Sequence, residues 1–173
     1  MRKPDFGPTM QMAWVVNDLE AAMRRWIDEQ GAGPFFVMRH CKVTNVRYRG
    51  QPATVDMDVA MAQSGGVQIE LIQQHDDLPS CYRDVYRQGE EGFHHICYLV
   101  DDLEGALAHF AQLGQPPAIE GNFGNVRFAY VDSRPGIGCM TELVGRHPDI
   151  EQFFRMVADA AEDWDGRDPV RYL

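Results

Sequence analysis

The sequence predicts an α+β fold made of two tandem βαβββ modules, on the strength of a repeat, a change of hydrophobic period within it, and the turn chemistry that follows it. Residues 10–31, MQMAWVVNDLEAAMRRWIDEQG, read again at an offset of 84 as HHICYLVDDLEGALAHFAQLG, one residue shorter; a unit that recurs in this way is expected to fold twice. Each copy opens with about seven apolar-rich residues that include Val, Ile, Trp and Tyr, a composition and length that favour a strand. The period then changes to that of a helix, with stripes Leu19, Ala22, Met23, Trp26, Ile27 and Leu103, Ala106, Leu107, Phe110. Asn17 with Glu20, and Asp101 with Glu104, have capping-box spacing. Gly31 and Gly114 stand where a left-handed C-cap is expected.

Each helix is followed by a Gly/Pro turn and then by strand-like runs. These are 34–39, 53–63 and 67–73 in the first half, and a weak strand near Ala118, then 126–131 and 139–144, in the second. The modules therefore span about 9–75 and about 93–145, joined by a linker of about 78–92. In the linker, Pro79 suits the first position of a short helix, SCYRDVYRQG. Residues of about 149–161 carry Ile150, Phe153, Phe154, Met156 and Val157, a helix laid on the surface or on a partner subunit, and the last twelve residues read as an irregular tail.

A chain of 173 residues with 45% hydrophobic and 24% charged residues has the composition of one globular domain with a core of its own. Its net charge of −10 repels phosphodiester backbones and anionic lipid surfaces, so neither nucleic acid nor membrane is expected as a partner. No apolar run reaches the roughly 20 residues of a membrane span and the opening MRKPDFGP has no signal-peptide core, which favours the cytoplasm. Cys41, Cys81, Cys97 and Cys139 form no C-x-x-C pair, so reduced, buried thiols are expected.

Alternation along the first strand puts Met10, Met12, Trp14 and Val16 toward the helix and Gln11, Ala13 and Val15 on the other face. The same register in the second copy puts Ile96, Tyr98 and Val100 toward the helix and His95, Cys97 and Leu99 opposite. Gln11 and His95 are thus repeat equivalents, and alternation lets only one of His94 and His95 face the site. The last strand of each half embeds a carboxylate in apolar sequence, VQIELI around Glu70 and CMTELV around Glu142. Taken singly, each of these residues is compatible with a solvent-facing strand position. Together, if the concave faces of the halves meet, Gln11, Glu70, His95 and Glu142 offer one nitrogen and three oxygens, a set suited to an octahedral divalent ion with two positions left for water or substrate. His40, His75, His109 and His147 read as exposed. Arg47, Tyr48 and Arg49 read as a solvated strand or loop, or as a contact for an anionic substrate tail. Phe35, Phe36, Phe123 and Tyr130 are either core aromatics or the walls of an apolar pocket.

The motifs MQMAWVVNDLEAA, GVQIELI, GFHHICYLVDDL and CMTELV resemble the vicinal oxygen chelate superfamily of glyoxalases, bleomycin-resistance proteins and dioxygenases, over roughly residues 9–145. IELIQQHDD followed by EEGFHHICYLVDDLE is most similar to methylmalonyl-CoA epimerase-like members, although Gln11 stands where their first ligand is usually His, and a Gln, Glu, His, Glu set is more similar to one branch of glyoxalase I. The resemblance implies an open, cup-shaped mixed sheet with helices outside. It implies a homodimer and one divalent ion (Zn, Co, Ni, Mn or Mg) held by Gln11, Glu70, His95 and Glu142. The chemistry implied is isomerase, epimerase or lyase action through a metal-stabilised enolate of an acyl thioester or α-oxo or α-hydroxy compound, with Glu142 and Glu70 as proton carriers. A metal-free binding protein of the bleomycin-resistance type and an extradiol-type dioxygenase are the alternatives. A coenzyme A carrier would call for basic residues such as Arg47, Arg49, Arg83 or Arg127.

Overall fold

The computed structural model describes residues 5–173. The first module contributes β1 (Gln11–Val15), α1 (Leu19–Gln30), β2 (Phe35–Met38), the hairpin β3 (Val43–Tyr48) and β4 (Gln51–Pro52), then β5 (Met57–Ser64) and β6 (Val67–Gln74). The second contributes β7 (Gly92–Val100), α2 (Leu103–Gln112), β8 (Pro117–Phe123), β9 (Val126–Val131), the short α3 (Arg134–Ile137) and β10 (Met140–Gly145). Helix α4 (Pro148–Ala161) and strand β11 (Val170–Tyr172) complete the chain. All eleven strands form one open mixed sheet in the order β11-β2-β5-β6-β1-β7-β10-β9-β8-β3-β4. The first strand of each module runs parallel to the last strand of the same module, and β1 meets β7 antiparallel at the centre.

Alternation sorts the apolar residues onto two faces. On the outer face α1 buries Leu19, Ala22 and Met23 against Ile69, Leu71 and Ala60, while α2 buries Leu103, Leu107 and Phe110 against Ala129, Val131 and Leu143. The concave face holds the largest cluster, which includes Val15, Val59, Ile72, Cys97, Tyr130 and Val144. Met12, expected against α1, is 37% exposed, and Met10 packs on the concave cluster. The four cysteines are free and buried; burial pushes the Cys41 thiol up to about 12.

Five local expectations are corrected. The caps sit one residue later than expected. Asp18 and Asp102 accept from the backbone N–H groups of Ala21 and Gly105, while Asn17 donates to the Gly89 carbonyl. The linker has no helix: residues 81–85 are turns, with the Asp84 and Tyr86 N–H groups bonded back to Ser80 and Tyr82, and the segment is held by side chains such as Arg83 on the Gln74 and Asp76 carbonyls. Residues 43–48, outside the strands expected of the first half, form β3, which crosses to the other module and pairs with β8. The tail is not wholly irregular, since β11 lies parallel to β2. Helix α4 does not wait for a partner subunit: Ile150 and Phe154 pack into this chain's own concave cluster beside Met57, Val59 and Met61. No helix among the described residues is long and apolar enough to cross a membrane.

Candidate metal centre

The site occupies the four central strands, β6-β1-β7-β10. In one row across the sheet Glu70 and His95 flank Ala13; in the next, Gln11 and Glu142 flank Cys97. Ala13 and Cys97 are repeat equivalents, both fully buried, and their small side chains leave room for the polar groups around them. Glu70, His95 and Glu142 converge, each offering one ligand atom within 4.8 Å of the others. His95 Nε2 lies 3.3 Å from Glu70 Oε2 and 3.3 Å from Glu142 Oε2. Gln11 lines the same cavity, and its amide nitrogen donates to Gln68 Oε1 at 3.3 Å, which leaves its own carbonyl oxygen as the available ligand atom.

All four residues are buried, none more than 8% exposed. Buried polar atoms are nearly always hydrogen-bonded, so an orphan calls for an explanation. Glu70 Oε2 and His95 Nε2 are such orphans: they face each other closely but without hydrogen-bond geometry. Burial, with Glu142 beside it, raises the Glu70 pKa despite the nearby imidazole. Burial opposes charge on His95 as well, yet the two carboxylates outweigh it and push its pKa up to about 9. A group of two carboxylates and an imidazole that face one another with unpaired atoms fits a divalent cation, whose charge would replace the missing partners.

His94 prepares that geometry. Its Nε2–H donates to the Cys81 carbonyl at 3.0 Å, an oxygen that only accepts, so its Nδ1 accepts from Nδ1–H of His95 at 3.0 Å. This assigns the free Nε2 of His95 to the carboxylates. Burial holds the His94 pKa down at about 3, so it stays neutral. Only His95 joins the ligand group, but the alternation expected to send the two rings to opposite faces fails at a β-bulge. Ala13 pairs with His95 and Trp14 with Phe93, so His94 is skipped, and its ring lies beside Tyr82 and Tyr130 on the same side as His95.

A second group, His40, Asp58 and His75, also has ligand-like spacing, but Asp58 is fully served there. It accepts from His75 Nε2 at 2.8 Å, from the His40 N–H at 2.7 Å and from Arg39 at 2.5 Å. With no orphan atom, it reads as a hub that fastens the turn after β2 to β5 and β6.

The cavity beside the centre, about 70 Å³, is walled by Phe123, Tyr130 and other apolar residues of the concave face and by Phe153 and Phe154 of α4. Phe35 is instead in the outer cluster, and Phe36 lies under Arg171. The basic residues named above as contacts for an anionic tail are committed elsewhere: Arg47 to the Gly50 carbonyl, Arg49 to Asp84, Arg83 to the linker carbonyls and Arg127 to Glu104. Gln68, not singled out from the sequence, and α4, expected on the surface or on a partner subunit and not at the site, complete it, Gln68 Nε2 reaching the Phe154 carbonyl at 3.5 Å.

Among solved structures, methylmalonyl-CoA epimerase from Mycobacterium tuberculosis is similar at 15% identity, with a TM-score of 0.54 over 83% of this chain and 90% of that one. A methylmalonyl-CoA epimerase in complex with methylmalonyl-CoA and NH4+ gives 16%, 0.52, and 81% and 94%. A Streptomyces coelicolor methylmalonyl-CoA epimerase variant in complex with 2-nitronate-propionyl-CoA gives 16%, 0.53, and 82% and 95%. Identities this low carry the fold and not the reaction. No curated protein matches the chain. A family model described as Glyoxalase/Bleomycin resistance protein/Dioxygenase superfamily matches residues 10–130; with two βαβββ modules around a central cluster of Glu70, His95 and Glu142, this chain belongs to that superfamily.

Proposed function

We propose that this chain is a divalent-metal-dependent isomerase or epimerase, or a lyase of the same enolate chemistry, that moves a carbon-bound proton next to a carbonyl group. The observation that carries the reading is the pair of orphaned buried atoms, Glu70 Oε2 and His95 Nε2, within a cluster closed by Glu142. Gln11, Glu70, His95 and Glu142 would hold the ion. When bound, it supplies Lewis-acid stabilisation of the negative charge that develops on a carbonyl oxygen as the neighbouring carbon loses its proton. Glu70 and Glu142 come from opposite modules and flank the site. Glu70 takes a proton from one side. Glu142 serves the other, and His94 keeps His95 in the required tautomer.

A metal-free binding protein would have no use for two orphaned polar atoms in an apolar cup. An extradiol-type site needs two His and one carboxylate, whereas Glu70, His95 and Glu142 supply one His and two. The test is metal analysis of protein purified without chelators, alongside His95→Ala. About one equivalent of divalent metal in the parent, absent from the variant, is expected. Equal metal content in the two proteins would remove the proposal.

A further inference from the structure

The walls of the cavity bear on which compound enters it. Helix α4 lies across the mouth of the cup, with Ile150 and Phe154 at most 8% exposed and both packed on the concave cluster. It is tied to the centre by a chain of side chains in which Gln11 donates to Gln68 and Gln68 donates to the Phe154 carbonyl. The cavity left beneath it is about 70 Å³. Apart from Gln11, Glu70, Glu142 and two tyrosines, its walls are apolar, and no Lys or Arg is among them.

A carrier such as coenzyme A brings several phosphate charges, which need cations or backbone donors to replace their hydration. Arg47, Arg49, Arg83 and Arg127 are each held by a carboxylate or carbonyl of this chain. Lys42, between the lining residues Cys41 and Val43, turns outward to solvent, and Arg155 lies on the exposed side of α4. The net charge of −10 adds a long-range field that opposes a polyanion.

We propose, resting on the metal-dependent reading above, that the substrate is a carrier-free compound of a few carbons. Two adjacent oxygens, as in a 2-oxo acid or 2-hydroxy ketone, would face Glu70, His95 and Glu142, and a short apolar tail would lie against Phe153 and Phe154. Helix α4 is then the element that sets tail length. The fold neighbours named in complexes with acyl-CoA compounds would differ from this chain in what lies outside the acyl pocket.

The test is calorimetric titration of Mn2+-loaded protein with 2-oxobutanoate, 2-oxooctanoate and free coenzyme A, and competition by propionyl-CoA against its N-acetylcysteamine thioester. Binding of 2-oxobutanoate at least tenfold tighter than of 2-oxooctanoate is expected, with no heat from 1 mM coenzyme A and the two thioesters within about tenfold of each other. Phe154→Ala should bring the two oxo acids within about threefold; Phe153→Ala, at a half-buried position, serves the same purpose if Phe154→Ala impairs folding. A propionyl-CoA preference of 100-fold or more over its truncated analogue would overturn the inference and leave the metal-dependent reading standing. So would absence of 2-oxobutanoate binding, or an unchanged length preference in both variants. Failure of Mn2+ itself to bind would remove the parent reading and this one together.

Discussion

Replacing Glu70 by Met should make the metal-free protein more stable while abolishing its response to metal. The side chain is 6% exposed, its Oε2 has no hydrogen-bond partner, and Glu142 stands beside it. Its pKa is raised by burial and by that neighbour, so the folded state binds a proton more tightly than the unfolded chain, and at neutral pH the ionised carboxylate opposes folding. Met has similar length and removes the buried charge. Relief of an unsatisfied buried group is worth about 1–3 kcal/mol. At about 2–4 °C per kcal/mol for a chain of this size, the melting temperature in EDTA should rise by about 2–12 °C. With a divalent ion at 100 times its measured Kd, the parent protein should gain about 2.7 kcal/mol, or about 5–11 °C, and the variant under about 2 °C. Scanning calorimetry with and without EDTA reads both effects. A metal-free variant less stable than its parent, with an unchanged far-UV spectrum, would show that Glu70 is already well paired and refute the reasoning from its orphaned oxygen.

Three further outcomes follow from the same geometry. Ala13→Val adds two methyl groups to a floor position that is 0% exposed between Glu70 and His95; a cost of about 1–3 kcal/mol and at least tenfold weaker metal binding are expected in denaturation and metal-titration curves. Glu142→Gln should keep the fold and much of the metal affinity through its amide oxygen. Deuterium exchange at C3 of 2-oxobutanoate in D2O should fall by roughly 10²- to 10⁴-fold, and exchange at the parent rate would leave Glu142 as a ligand only. Burial alone would raise the Asp58 pKa, but His75, Arg39 and the His40 N–H outweigh it and hold it at about 2. Because the folded value lies below the unfolded one, the contribution, about 2 kcal/mol, is complete above about pH 5 and is lost as pH falls toward 2. In urea titrations Asp58→Asn should flatten that part of the profile, and an unchanged profile would count against the hub.

What the sequence determined by itself is local in origin. The two βα units follow from hydrophobic period, capping residues and Gly31. An acid inside VQIELI and CMTELV is legible because alternation places it on one face and burial makes it costly, and the repeat then assigns Gln11 and His95 to the same face. The placement of Gln11, Glu70, His95 and Glu142 on four adjacent central strands follows from these rules together with the pairing of the modules. What only the tertiary structure decided rests on partners distant in the chain. Strand β3 has a weak pattern of its own, with Thr44, Asn45 and Arg47 exposed, and is a strand because β8 of the other module offers it an edge. Helix α4 shows an apolar stripe that would fit a partner subunit equally well, and it caps its own cup because Met57, Val59 and Met61 present the matching surface. His94 joins His95 through a bulge that alternation cannot foresee, since a skipped residue is fixed by how β7 registers against β1. Periodicity is a property of one segment, whereas register, edge pairing and the covering of a concave face belong to pairs of segments, and those pairs set the size and polarity of the site.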